Sequence, residues 1–115
     1  MPAHDLAALW DAHCGYEFDT RNVDATMSTM VAEPYVNHIP TMTGGVGYER
    51  LRHFYANHFI GVNPPDFELV PVSRTVGESS LVDEFILRFT HTTRMDWMLP
   101  GVEPTGRPVE IPAVA

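Results

Sequence analysis

Apolar and polar positions in the first part of the chain recur with the period of an α-helix. Residues 5–20 return an apolar or aromatic side chain every three or four positions, and Asp5 is placed to cap the first turn. After Arg21, Asn22 is placed to cap a second, short helix, which Pro34 ends. The pattern therefore predicts two helices. The side chains expected to be buried on the second are Val23, Met27, Met30 and Val31.

The next apolar run, YVNHIP, is short and rich in strand-forming residues, so Tyr35–Pro40 is predicted to be the first strand. Its period of two places His38 on one face and Asn37 on the other. The TMTGGVG segment, residues 41–47, is expected to be a loop, and residues 48–59 are expected to form a third helix. The face of this helix that would be buried holds Leu51, Phe54, Tyr55 and His58.

From Phe67 onwards the pattern changes to that of strands. We predict a strand at Phe67–Val76, a turn at residues 77–79 and a long, bulged or bent strand at Leu81–Trp97. A loop rich in turn formers follows at Pro100–Pro108, and Val109–Ala115 begins another strand. The residues predicted to face the core from the long strand are Leu81, Asp83, Phe85, Leu87, Phe89, His91 and Thr93.

Two helices, a strand, a helix and then a run of antiparallel strands indicate an α+β fold, with a curved sheet wrapped over three N-terminal helices. The length of 115 residues favours one domain, 1–115. The last strand is apolar and has no turn or polar tail, so it would leave a neighbouring edge uncovered. We therefore expect the natural protein to continue beyond Ala115, with the last strand or strands missing here.

Composition narrows the classes of partner. The net charge is −8, and the seven arginines are scattered through a chain without lysine, which disfavours binding to nucleic acid. Neither a signal peptide nor a membrane-spanning run is evident, so no membrane partner is expected. The single Cys14 excludes an intrachain disulfide and is typical of a reducing compartment. A cytoplasmic location is expected.

Three segments together resemble the nuclear transport factor 2-like superfamily, and within it the SnoaL-like polyketide cyclase group. NVDATMSTMVAEPYVNHIP is similar to the superfamily's second helix and first strand, and YERLRHFYANHF to its third helix. FTHTTRMDWMLPGVEPTGRPVEIP is similar to the group's Thr-His strand and the Gly-x-x-Pro-Thr-Gly-Arg loop after it.

The resemblance implies a cone-shaped α+β barrel around an apolar pocket, with a small apolar ligand as partner. It also implies a homodimer, because members commonly pair through the convex sheet face, where Val82 and Ile86 are apolar here. Members include isomerases, dehydratases, cyclases and hydrolases as well as non-catalytic modules, so the fold does not settle the function.

Departures from the family affect the expected mechanism. The acid/base Asp of SnoaL-type cyclases would lie beyond Ala115. In the ketosteroid isomerase branch, the general base falls on His38, the oxyanion-hole Tyr on Cys14 and the oxyanion-hole Asp on Ala115. None of these three residues is kept, which makes steroid isomerisation by that mechanism doubtful.

The catalytic candidates are His38, His91 and Asp96. A histidine exchanges protons near neutral pH, which suits chemistry at carbon, but His38 could equally be a core histidine that binds a backbone carbonyl. His91 lies at the pocket end of the apolar row and is the histidine of the Thr-His motif. Asp96 could orient a histidine or a water, or be a surface residue in a bend.

The candidates for substrate binding surround the expected pocket, although aromatic side chains at helical spacing are more often part of the core than ligand contacts. They are Cys14, Tyr16, Tyr55, His58, Phe89 and Trp97.

No metal and no cofactor are expected. His53 and His58 are five residues apart, roughly 140° round an α-helix, and therefore are not expected to share a metal. A site built from His38, His58 and His91 is geometrically conceivable. The TGGVG segment lacks the lysine and spacing of a P-loop. The function predicted is acid–base chemistry on a carbonyl-bearing molecule. The alternative is a non-catalytic module for binding or dimerisation.

Overall fold

A computed structural model describes residues 5–115; residues 1–4 of the predicted domain lie outside the described part. The described chain has an α+β fold, as predicted, with three helices and two antiparallel sheets. Two of the helices continue into a wide, π-helical turn. The helical segments are α1 (Leu6–Cys14) with the turn Gly15–Asp19, α2 (Val23–Ser28), and α3 (Tyr48–Phe54) with the turn Tyr55–Phe59.

Side chains cap the first two helices as the sequence predicts. The Asp5 carboxylate accepts a hydrogen bond from the Ala8 N–H at 3.0 Å, and the Asn22 side chain accepts one from the Ala25 N–H at 3.0 Å. Because α2 ends at Ser28, the predicted buried stripe is only partly correct. Met27 is fully buried, whereas Val31 lies beyond the helix and is 70% exposed.

The first two strands, β1 (Tyr35–His38) and β2 (Thr43–Val46), form an antiparallel hairpin. The prediction of a loop over residues 41–47 is therefore wrong for β2. A Cβ at Gly44 would collide with the Val36 carbonyl, and one at Gly45 would crowd the α3 backbone. The glycines are present because the hairpin packs too closely for a side chain.

The second sheet consists of β3 (Glu68–Val76), β4 (Leu81–Thr90) and β5 (Pro108–Val114), with β4 in the centre. The prolines lie on the outer strands, where a missing N–H is tolerated, and β3 is bulged between Pro71 and Ser73. The central strand ends at Thr90, so the expectation that it reaches Trp97 is wrong. Residues 91–107, which we call the His91 loop, follow it.

The inward face of β4 is the one that the alternation predicts, with Phe85, Leu87 and Phe89 buried in the same core cluster as Leu51 and Phe59. Asp83, at the far end of this face, is also buried as the alternation predicts. The residue is only 5% exposed, and its carboxylate accepts hydrogen bonds from Arg74 on β3 and from the Trp10 indole of α1.

The two sheets share no strand pairing, so a closed barrel is not formed among residues 5–115. The outer face of the three-stranded sheet exposes Val82, which pairs with Thr75 of β3, and dimer pairing through this face stays a prediction. None of the helices in the described part of the chain has the length and apolar character needed to cross a membrane.

Candidate functional site

A cavity of about 980 Å³, here called the main cavity, lies among α1, the β1–β2 hairpin and the inner face of the three-stranded sheet. Most of its lining is apolar, and a volume of this order suits a small organic molecule. Its polar lining comes from the two helices with wide turns, from the hairpin, and from Thr29 after α2 and Trp97 of the His91 loop. The titratable side chains among these are His13, Glu17, Tyr35, His38 and Tyr55.

His38 is held at the end of β1 by its partner strand. Its Nδ1 lies 3.1 Å from the Thr43 carbonyl oxygen, which can only accept, so Nδ1 carries the proton. The lone pair therefore resides on Nε2, which has no hydrogen-bond partner among residues 5–115. His38 thus offers a base to the main cavity.

Aromatic rings surround the His38 imidazole. Its ring centroid lies 5.4 Å from that of Phe54, 5.6 Å from that of Phe59 and 4.9 Å from that of Trp97. Burial among these rings lowers the pKa of His38 below its ordinary value of 6.5, against an opposing contribution from the Thr43 carbonyl. The neutral form that can accept a proton is therefore favoured at neutral pH.

A second polar group lines the main cavity from α1. His13 and Glu17, four residues apart, are each only 6% exposed, and His13 Nε2 lies 3.0 Å from Glu17 Oε1. The Thr29 hydroxyl donates to the Thr26 carbonyl at 2.6 Å, so it can only accept from His13 Nδ1, at 2.8 Å. His13 Nδ1 therefore carries a proton.

This arrangement determines what lies between His13 and Glu17. With Nδ1 protonated, a neutral His13 presents a lone pair at Nε2, and an ionised Glu17 presents another at Oε1. Two lone pairs do not approach to 3.0 Å without a proton between them. The His13–Glu17 pair therefore shares one proton that is buried beside the cavity.

The Tyr55 hydroxyl completes this group, since it lies 3.5 Å from His13 Nε2. Burial raises the pKa of Tyr55, and the nearby Glu17 carboxylate raises it further, so the phenol keeps its proton. Tyr55 was predicted from the sequence, but His13 and Glu17 were not. The sequence did contain a signal for this pair: two titratable side chains four residues apart, both on the face of α1 that the helical period predicts to be buried.

His91 lies outside the lining of the main cavity. Its Nδ1 accepts a hydrogen bond from the Thr105 N–H at 3.3 Å, and its backbone bonds to Gly106 and Arg107. The side chain is buried, and no described group bonds to Nε2. The structure therefore separates His91 from His38, and its contacts hold the His91 loop together.

Asp96 is also separated from the main cavity. It lines a second cavity of about 300 Å³ with His58 and Arg94, and its carboxylate is exposed. The Gly101 N–H and the Arg94 guanidinium both bond to Asp96 and lower its pKa. Asp96 therefore contacts neither His38 nor His91 through a hydrogen bond.

The predicted binding residues divide into two sets. Tyr55 and Trp97 line the main cavity, and His58 lines the second cavity. Cys14, Tyr16 and Phe89 line neither: Phe89 is a core residue stacked on Phe67, and burial raises the pKa of the Cys14 thiol. Cys14 therefore lies outside the lining of both cavities.

His53 and His58 were expected to point in different directions, and that expectation is wrong. Their ring centroids lie 5.5 Å apart. At the end of the wide turn Tyr55–Phe59, the Ile60 N–H bonds to the Tyr55 carbonyl five residues earlier, a geometry that brings residues five apart onto one side. No group of three or more His, Cys, Asp or Glu side chains in the described ranges is arranged to hold a metal ion.

Comparison of the chain with known protein families, with curated proteins and with solved structures found no match.

Proposed function

We propose that this protein is a SnoaL-like enzyme that transfers protons at carbon in a small, uncharged, carbonyl-bearing molecule. The observation that carries the proposal is His38. Its tautomer is set by the Thr43 carbonyl, and its Nε2 lone pair is left without a partner at the main cavity. The helices and antiparallel strands around one cavity support the cone-shaped architecture that the resemblance implies.

The charge of the lining supports an uncharged substrate. Arginine does not occur among the described residues that line the main cavity, and Glu17 is the one acidic side chain in that set. An anionic ligand would lose its hydration without gaining a cationic partner. A neutral ketone or enone would instead place its ring or chain against the apolar lining.

The proposed step is an enolisation. His38 Nε2 takes a proton from the carbon next to the carbonyl, the electron pair of that C–H bond forms a C=C bond, and the carbonyl π electrons move to the oxygen to give an enolate. The proton then returns to the same or another carbon. General acid–base catalysis of this type needs no cofactor and contributes about 10²–10⁴ in rate.

Deuterium exchange tests the proposal without knowledge of the natural substrate. The probe is 2-tetralone, a small apolar ketone, incubated with the protein in D₂O while NMR follows the loss of its α-proton signals. We expect exchange above the buffer rate, and we expect His38→Gln to reduce the enzymatic part at least about 100-fold. His53→Gln, a matched change at an exposed histidine, should retain it.

A second function is favoured by the apolar majority of the lining, which suits a binding module without catalysis. Under that alternative, 2-tetralone binds to the wild-type protein without exchange, and His38→Gln leaves its affinity nearly unchanged. Exchange that persists at the wild-type rate in His38→Gln would show that His38 is not the base.

A further inference from the structure

We infer that His13, Glu17 and Tyr55 form the subsite that receives the carbonyl oxygen of the ligand and supplies it with a proton. The inference rests on the proposed function, because it names the second proton-transferring group of the same cavity. It assigns this role to α1 and the wide turn after α3, within residues 5–115, in place of an acid beyond Ala115.

Most other polar side chains of the lining are already engaged. The Trp10 indole N–H donates to Asp83 at 2.8 Å, and the Trp97 indole N–H donates to Asn63 at 2.8 Å. The Thr29 and Thr41 hydroxyls each donate to a backbone carbonyl. These groups have no donor left for a ligand oxygen.

Tyr55 is different because its bonding partners are the two members of the His13–Glu17 pair, which already bond to each other at 3.0 Å. Its hydroxyl lies 3.5 Å from His13 Nε2, beyond the length of a well-formed hydrogen bond, and its other partner is the Glu17 carboxylate. A buried hydroxyl in this position gains by donating to a ligand oxygen instead. Tyr55 is therefore the donor best placed to orient a carbonyl.

The His13–Glu17 pair supplies the transferable proton. When His38 removes the α-proton, the C–H electron pair becomes the C=C bond and the carbonyl π electrons move to oxygen. That oxygen takes the proton shared by His13 and Glu17, while Tyr55 donates a hydrogen bond to it. His38 gains one positive charge and the pair loses one, so the cavity's total charge does not change. The reverse step restores both groups.

The buried position strengthens this step. A donor fixed beside a cavity away from water does not need to reorganise as negative charge develops on the ligand oxygen. Thr29 fixes the His13 ring from the other side, at 2.8 Å from Nδ1, so Nε2 stays directed at Glu17. Thr29 is in this sense a positioning residue.

The test compares two ligands that differ only in the carbonyl: 2-tetralone and its parent hydrocarbon, tetralin. Their affinities are measured from the methyl NMR signals of Met30 and Met98, which line the main cavity. We expect the wild-type protein to prefer the ketone, and we expect Tyr55→Phe and Glu17→Gln each to reduce this preference by about two- to tenfold. Glu17→Gln should also reduce α-proton exchange at least about tenfold.

Exposed residues of the same type provide the controls. Tyr48→Phe and Glu49→Gln remove the same atoms at positions away from the cavity, and they should leave the preference unchanged. Because Glu17→Gln alters a buried pair and could unfold the protein, the ¹⁵N signals of His13 in the wild-type protein provide a second readout. They should shift with 2-tetralone and not with tetralin.

The subsite is refuted if Tyr55→Phe and folded Glu17→Gln keep the ketone preference, if the ketone leaves the His13 signals unchanged, or if neither ligand binds. The proposed function fails separately: a ketone preference that depends on Tyr55 and Glu17, without any His38-dependent exchange, leaves the oxygen subsite standing in a protein that binds but does not catalyse.

Discussion

The β1–β2 hairpin and the His91 loop each present a histidine that the sequence marks as catalytic, and the structure treats the two differently. In both, Nδ1 is engaged by a threonine, Thr43 of the partner strand for His38 and Thr105 across the loop for His91. The two histidines differ in whether Nδ1 carries a proton. His38 donates through Nδ1 and keeps a lone pair on Nε2, whereas His91 accepts through Nδ1 and therefore carries its proton on Nε2.

The surroundings of the second nitrogen add to this difference. His38 Nε2 belongs to a residue that lines the main cavity, while His91 Nε2 is buried without a described partner and away from that cavity. A base needs a lone pair that a substrate can reach. The comparison shows that the hydrogen bond at one nitrogen of a histidine decides what the other can do.

The largest expected effect comes from truncating the loop histidine. His91→Ala leaves a cavity and an unpaired Thr105 N–H, so we expect the free energy of unfolding to fall by about 2–4 kcal/mol. Urea denaturation measures this loss. The folded fraction of His91→Ala should exchange the α-protons of 2-tetralone at the wild-type rate. A folded variant that does not exchange them would show that His91 is needed for catalysis.

The hairpin is tested through the glycine that lets its strands approach. In Gly44→Ala the new Cβ meets the Val36 carbonyl at a φ of 138°, and we expect a loss of about 1–3 kcal/mol in stability. Because the strand pairing holds Thr43 on His38, exchange should fall too. Gly101→Ala is the control, since it shares a positive φ, 77°, but has open space. Equal losses of stability and exchange in both variants would contradict the packing explanation.

The smallest effect is a difference in pH dependence. His38 has a lowered pKa in the folded protein, so as pH falls below its ordinary value of 6.5 the unfolded chain takes up the proton first. The stability that neutral His38 contributes is present above that value and is lost as pH falls towards the folded pKa. Unfolding free energies from about pH 7.5 to about pH 5.5 should therefore decrease more steeply in wild type than in His38→Gln. If the unfolding free energies of wild type and His38→Gln change in parallel with pH, the lowered pKa of His38 is excluded.

Local signals in the sequence predicted much of the fold. The caps at Asp5 and Asn22 need only a short polar side chain before an apolar period, and the buried face of β4 follows from alternation alone. The sheet edges were harder to predict. Gly44 and Gly45 give β2 the composition of a loop, and their reason for being glycine is a close approach by Val36 and α3 that lies outside any local pattern.

The candidate site was only half predictable. His38 and Tyr55 stood out because each is a polar residue at a position with a clear face, but His13 and Glu17 merged into the apolar stripe of α1. Their importance depends on Thr29, sixteen residues from His13, which settles the tautomer. The same limit explains His91, whose partner Thr105 lies across a loop whose conformation no periodicity specifies.

The wide turns at Gly15–Asp19 and Tyr55–Phe59 change the direction in which the side chains after them point. Each turn accommodates one residue more than a regular helix would place in the same length, so side chains beyond it are rotated by roughly 100° relative to an unbroken α-helix. After α3 this offset places Tyr55 and Ile60, five residues apart, on the buried side together. A chain shortened by one residue at either turn would keep the helix and nearly the same composition. The side chains after the turn would, however, face a different direction relative to the cavity.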